Sequence, residues 1–292
     1  MERGVTFYSG DARLAADLYL PDTLAGGERR PGVVLCCGYT GVKNLYLDEM
    51  ARRFAAGGFV ALTFDYKGWG GSEGPKLRLA PYGRVEDTQA ALTFLSTQAG
   101  VDPDRLGLYG ISYGGSTATF TAAIDDRVKA IVSITGVGNG ERWMRGVRQP
   151  WDFRRLVERA TIDRIQQVST GVSAWADRSD VLQLDPQSVE ISARARASLP
   201  GASMQVPLAM VHETLGFNPE WVVDRISPRA ALFITSDRDE LVLPDESIAL
   251  HRLAGEPKKL VILHGYGHYE VFTPPALDLI IAEAVPWFWR YL

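Results

Sequence analysis

Short apolar runs and amphipathic stretches take turns along most of this chain. Val5 to Tyr8 and Arg13 to Leu20 alternate or run apolar and close on Pro21-Asp22, the pattern of an opening antiparallel strand pair. The rhythm then changes. Gly32 to Cys37, Phe59 to Asp65, Arg105 to Tyr109 and Val128 to Ile134 read as short buried strands. Helix-like segments separate them at Leu47 to Ala56, Val85 to Gln98 and Ser116 to Ile124. The alternation resumes late in the chain with strand Ala230 to Thr235, helix Pro244 to Leu253, strand Lys259 to Leu263 and helix Ala276 to Tyr291. Strand and helix in alternation predict an α/β fold with a mostly parallel sheet of eight strands, right-handed crossovers and flanking helices.

Residues 138–225 break this rhythm. Asp152 to Gln167 and Val189 to Ala197 are helical candidates, and no strand in the required register stands out. The segment therefore reads as a helical cap inserted after the sixth strand, with residues 1–137 and 226–292 forming one catalytic core. Trp143, Met144, Trp151, Phe153, Trp175 and Trp221 lie within it. Roughly one in three of these is expected to face a pocket, because a pocket needs few side chains.

Composition narrows the classes. The 292 residues are 46% apolar and 23% charged, enough to build a large core and too apolar for wholesale disorder. A formal charge of −4 argues against a nucleic acid or an anionic membrane as partner. Cys36 and Cys37 are the two cysteines, and adjacent cysteines do not make a disulfide framework. Met1 to Gly10 lacks a cationic segment followed by an apolar stretch, and no run is long enough to span a bilayer, so a cytoplasmic protein is expected. No Cys/His cluster or His-Glu-x-x-His spacing suggests a metal, and no glycine-rich phosphate loop suggests a nucleotide cofactor. The apolar end of the last helix, Trp287, Phe288, Trp289 and Leu292, could join two copies or pack on its own sheet.

The chemistry is concentrated in one pentapeptide. Gly110-Ile111-Ser112-Tyr113-Gly114 follows a predicted strand and precedes a predicted helix, the context in which Gly-x-Ser-x-Gly presents an exposed serine on a tight turn. A serine hydroxyl is a poor nucleophile until a base lies beside it. The bland alternative is a serine that only caps the helix. Acidic and basic partners follow in the order this arrangement requires: Asp237 or Asp239 after one strand, then His268 after the next. Ser112 is assigned as nucleophile and His268 as general base, with His264 as its competitor. Asp239 is preferred as the acid over Asp237, which suits a turn former, and over Glu141, a third option. The Tyr113 N–H, next to the nucleophile, is expected in an oxyanion hole.

These motifs together resemble those of the α/β-hydrolase superfamily, over nearly the whole chain apart from the central insertion. Cys37-Gly38-Tyr39-Thr40-Gly41 occupies the place of the family's His-Gly-x-x-Gly loop, and Asp65-Tyr66-Lys67-Gly68-Trp69-Gly70-Gly71-Ser72 that of its Arg-Gly-x-Gly-x-Ser loop. Cys37 and Lys67 depart from the family's His and Arg. The set is most similar to bacterial hydrolases related to dienelactone hydrolase and to the cocaine-esterase and X-prolyl peptidase group. The resemblance makes Tyr39 the second oxyanion donor through its N–H, with its phenol either a further donor or a packing group. It implies a cofactor-independent serine hydrolase acting on a carboxylic ester or amide of medium size and apolar or aromatic character. An acyltransferase, a C–C bond hydrolase and a ligand-binding relative without turnover are the alternatives.

Overall fold

The computed structural model describes residues 1–197, 199 and 204–292, so positions 198 and 200–203 of the expected insertion lie outside the described residues. The opening strands are β1 (Glu2–Ser9) and β2 (Ala12–Tyr19), followed by β3 (Arg30–Cys36), α1 (Leu47–Ala56), β4 (Val60–Phe64), α2 (Pro81–Ser96), β5 (Val101–Ile111), α3 (Tyr113–Ile124) and β6 (Val128–Ile134). The next stretch contains α4 (Gly140–Gly146), α5 (Pro150–Thr170), β7 (Trp175–Asp177), α6 (Arg178–Val181), α7 (Pro186–Ala197), β8 (Gln205–Pro207) and α8 (Met210–Leu215). The chain then completes its sheet with β9 (Ala230–Ser236), α9 (Pro244–Leu253), β10 (Lys258–Leu263) and α10 (Ala276–Tyr291).

Eight strands form one sheet in the order β1-β2-β4-β3-β5-β6-β9-β10. The pairs β1–β2 and β2–β4 are antiparallel, and every pair from β4 to β10 is parallel. Parallel strands covered on both faces need apolar residues on both, and β4 and β9 are buried at every position. Helices cover those faces, α3 buried nearly all round and α1 along one apolar stripe. In α1 the buried residues are Leu47, Met50, Ala51 and Phe54, spaced to lie on one side of a helix.

Several boundaries differ from the sequence expectation for identifiable reasons. β5 begins at Val101, ahead of the predicted Arg105, because its register against β3 jumps after Pro31, and polar Asp102, Asp104 and Arg105 interrupt the apolar pattern there. α2 begins at Pro81, where proline's missing N–H costs a first-turn residue nothing. α3 begins directly at Tyr113, three residues before Ser116. Between β6 and β9 the expected helices appear within α5 and α7, but β7 and β8 also pair as an antiparallel ribbon. Strands of three residues are too short to leave a period in the sequence.

At the carboxyl end, Phe288 is buried in the chain's own core, its ring edge-on to Phe54 and Phe59, while the Trp289 indole donates to the Gly57 carbonyl at 3.0 Å. Among the described residues no helix is long and apolar enough to cross a membrane.

Candidate active site

The turn from β5 into α3 holds Ser112 in a conformation side chains rarely adopt, with φ 53° and ψ −128°. Its flanking glycines are dictated by contact. A Cβ on Gly110 would lie 2.2 Å from the Gly114 carbonyl oxygen, and one on Gly114 would lie 2.1 Å from the Cys36 carbonyl oxygen. The Ser112 N–H donates to the Ile134 carbonyl of β6 at 2.8 Å, which fixes the turn to the sheet. The Ser112 side chain makes no helix-capping bond, so its hydroxyl is free for other use.

That hydroxyl meets His268. The loop after β10 brings His268 Nε2 to 3.1 Å from Ser112 Oγ, and the loop after β9 brings Asp239 Oδ2 to 2.7 Å from His268 Nδ1. Asp239 is fixed in turn, its Oδ1 accepting the N–H groups of Leu241 at 3.0 Å and Val242 at 2.7 Å. A carboxylate only accepts. His268 Nδ1 therefore carries the ring proton, which leaves the Nε2 lone pair directed at the serine hydroxyl. His268 is 2% exposed, so water is kept from the chain of bonds.

The other candidates lie elsewhere. His264 Nδ1 pairs with Asp237 Oδ2 at 2.9 Å, but the His264 side chain is 82% exposed, and Asp237 also accepts the Gly265 N–H at 2.8 Å. This second His–Asp pair braces a surface loop. Glu141, on α4, pairs with Arg145 on the surface.

Beside Ser112 runs the loop after β3. The Gly38 backbone packs against the nucleophile: a Cβ there would sit in van der Waals contact with Ser112 Cβ, at 3.4 Å. The next residue is Tyr39, and among the described residues no acceptor takes its N–H. Tyr113 is the first residue of α3, where helix geometry leaves the N–H unpaired. The Tyr39 phenol is turned away from this use: it lies 2.6 Å from Thr214 Oγ1 in α8. Burial raises the Tyr39 phenol well above its ordinary pKa. Asp65, at the end of β4, accepts the N–H groups of Gly71 at 2.9 Å and Lys43 at 2.7 Å, holding two glycine-containing turns together.

Three residues here escaped sequence reasoning. Buried Arg84 lies over the Tyr66 ring at 4.0 Å, and its Nη2 donates to the Gly38 carbonyl at 2.8 Å. That carbonyl shares a peptide unit with the Tyr39 N–H. Arg178 and Arg196 of the inserted segment also line the cavity above Ser112. An arginine in a helix reads from sequence as a solvated face, and nothing in its neighbours signals burial. Of the six apolar candidates in the insertion, Trp143 lines this cavity, while Trp151, Trp175 and Trp221 are exposed. The cavity is narrow and partly open, and Ser112 beside it is half-buried.

A serine turn after β5, an acid after β9 and a histidine after β10, at the carboxyl ends of a sheet in this order, define an α/β hydrolase. The chain belongs to the X-Pro dipeptidyl-peptidase (S15) family, whose model matches residues 9–269. It is 27% identical over 270 residues to an Escherichia coli protein described as an uncharacterized 31.7 kDa protein in the traX-finO intergenic region, covering 91% of this chain and 93% of that one. It is 26% identical over 269 residues to the polyketide transferase claH of Penicillium crustosum, covering 87% and 86%. The crystal structure of hypothetical protein PA2218 from Pseudomonas aeruginosa superposes with a TM-score of 0.86 at 27% identity, covering 100% of this chain and 94% of that one.

Proposed function

We propose that the protein is a cofactor-independent serine hydrolase that cleaves a carboxylic ester through an acyl-serine intermediate. The observation that carries this reading is the unbroken run of hydrogen bonds from Ser112 to His268 to Asp239, beside the Tyr39 and Tyr113 amides that no acceptor takes among the described residues. Ser112 Oγ attacks the carbonyl carbon while His268 Nε2 takes its proton. Negative charge develops on the carbonyl oxygen, where the N–H groups of Tyr39 and Tyr113 stabilise it more than they stabilise the neutral ester. Collapse expels the alcohol, protonated by His268, and water then attacks the acyl-serine by the same route reversed. Asp239 holds the histidine in the required tautomer and offsets its positive charge when protonated.

Residues 138–225 serve as a cap in this reading. The acyl group would occupy the narrow, partly open cavity between this segment and Ser112. Its apolar walls, among them Ile111, Leu182, Leu241 and Phe272, suit an apolar chain or ring. The test is hydrolysis of 4-nitrophenyl esters from acetate to decanoate by the wild type and by Ser112→Ala. Turnover is expected in the first and not in the second. Equal turnover in both would refute the serine mechanism.

Acyl transfer is a second reading, favoured by the similarity to a polyketide transferase. Competing alcohols or amines added to the assay would yield new esters or amides in that case, and free acid alone would exclude it.

A further inference from the structure

Arg178, at the start of α6, and Arg196, in the last turn of α7, are almost wholly buried, at 2% and 6% exposure. Both line the cavity that Ser112 and His268 share. Arg178 donates to Thr40 Oγ1 at 2.7 Å, to Ser192 Oγ at 3.3 Å and to the Tyr269 hydroxyl at 2.9 Å. Arg196 donates to Ser192 Oγ at 3.3 Å, to the Thr40 carbonyl at 2.9 Å and to Thr40 Oγ1 at 2.8 Å.

Every one of these acceptors is neutral. Among the described residues no carboxylate pairs with either guanidinium. The undescribed positions 198 and 200–203 carry none either, being Ser, Pro, Gly, Ala and Ser in sequence. Two adjacent cations are thus buried without a counter-charge, although buried charges are ordinarily paired. Burial, and then the charge of Arg178, push the pKa of Arg196 down to about 10. Each guanidinium has five N–H donors and keeps some unused, in the planar fork that fits a carboxylate.

We infer that Arg178 and Arg196 form a subsite for a carboxylate carried by the substrate, whose ester carbonyl lies at Ser112 with a short apolar segment between the two. This rests on the serine-hydrolase reading and names its substrate class. A substrate entering with a free ammonium group, as the N-terminal end of a peptide does, would be repelled by the same pair.

The test compares mono-4-nitrophenyl adipate with its neutral methyl ester, and adds adipate and inorganic phosphate in thermal-shift measurements. The wild type is expected to prefer the acid by roughly tenfold or more in kcat/KM, and to be stabilised by adipate more than by phosphate. Arg196→Gln should bring the ratio near one and lose the adipate shift, while Arg196→Lys keeps part of both. Equal or faster turnover of the neutral ester, or of an Ala-Pro 4-nitroanilide, overturns the subsite and leaves the hydrolase reading standing. A phosphate shift as large as that of adipate overturns the carboxylate assignment. If neither ester reacts and a fluorophosphonate leaves Ser112 unlabelled, the hydrolase reading fails, and the adipate shift in wild type against Arg196→Gln decides the subsite alone. Because the wild-type measurements stand by themselves, misfolding of a variant does not remove the test.

Discussion

Asp239 and Asp237 are two residues apart, and each holds a histidine. Only Asp239 holds the histidine that reaches Ser112. Asp239→Asn is therefore expected to lower kcat by about 10⁴-fold through the wrong imidazole tautomer, while Asp237→Asn stays within about twofold of wild type. Steady-state kinetics of both variants checks this, and the reverse ranking would move the acid to Asp237. Arg84 acts one step further back. By donating to the Gly38 carbonyl it orients and polarises the peptide whose N–H is the proposed second oxyanion donor. Arg84→Met should lower kcat by about tenfold with KM nearly unchanged, and Arg84→Lys should recover part of the loss. A change confined to KM would contradict that role. The sequence made Ser112, Asp239 and His268 legible because each follows an apolar strand in a required order. Arg84, Arg178 and Arg196 were not legible, because their significance lies in being buried, where charge patterning reads a solvated face.

At the scale of elements, the β5–α3 turn concentrates the strain. Ser112 has positive φ, and glycines at 110 and 114 fit where a Cβ would collide with backbone. A non-glycine residue in so sparsely populated a conformation costs about 1–3 kcal/mol. Ser112→Gly should consequently raise unfolding stability by about 1 kcal/mol while abolishing turnover. Denaturant midpoints measure this, and a lower midpoint would mean that the turn is not strained. The long elements were predictable from period: α1, α9 and α10 match their apolar patterns end to end. What the pattern could not carry was the three-residue ribbon of β7 and β8 and the early start of β5 beyond its polar interruption.

At the scale of the whole molecule, residues 138–225 meet the core at several points, among them the Trp143 indole on the Leu241 carbonyl and Arg178 on Tyr269, and Thr40 is the point that two buried cations share. Thr40 Oγ1 accepts from both Arg178 and Arg196, and Tyr39 beside it bonds Thr214, so the proposed oxyanion loop is held against this segment. Thr40→Val removes an acceptor shared by two buried cations and should cost about 3 kcal/mol. Faster hydrogen exchange in α7 is expected with it, and unchanged exchange there would show that the tie does not hold the insertion down. The break in strand–helix alternation made residues 138–225 stand out in the sequence. That Arg178, Leu182 and Arg196 would line the cavity beside Ser112 was not legible, because sequence spacing does not say which way a segment folds back.

The central claim is that Ser112 is a nucleophile activated by His268. Labelling with a fluorophosphonate, with the adduct located by peptide mass spectrometry, tests it without knowledge of the substrate. The account predicts rapid labelling of wild type at Ser112 alone and strongly slowed labelling of His268→Ala. An unlabelled wild type, or an adduct elsewhere, would contradict it.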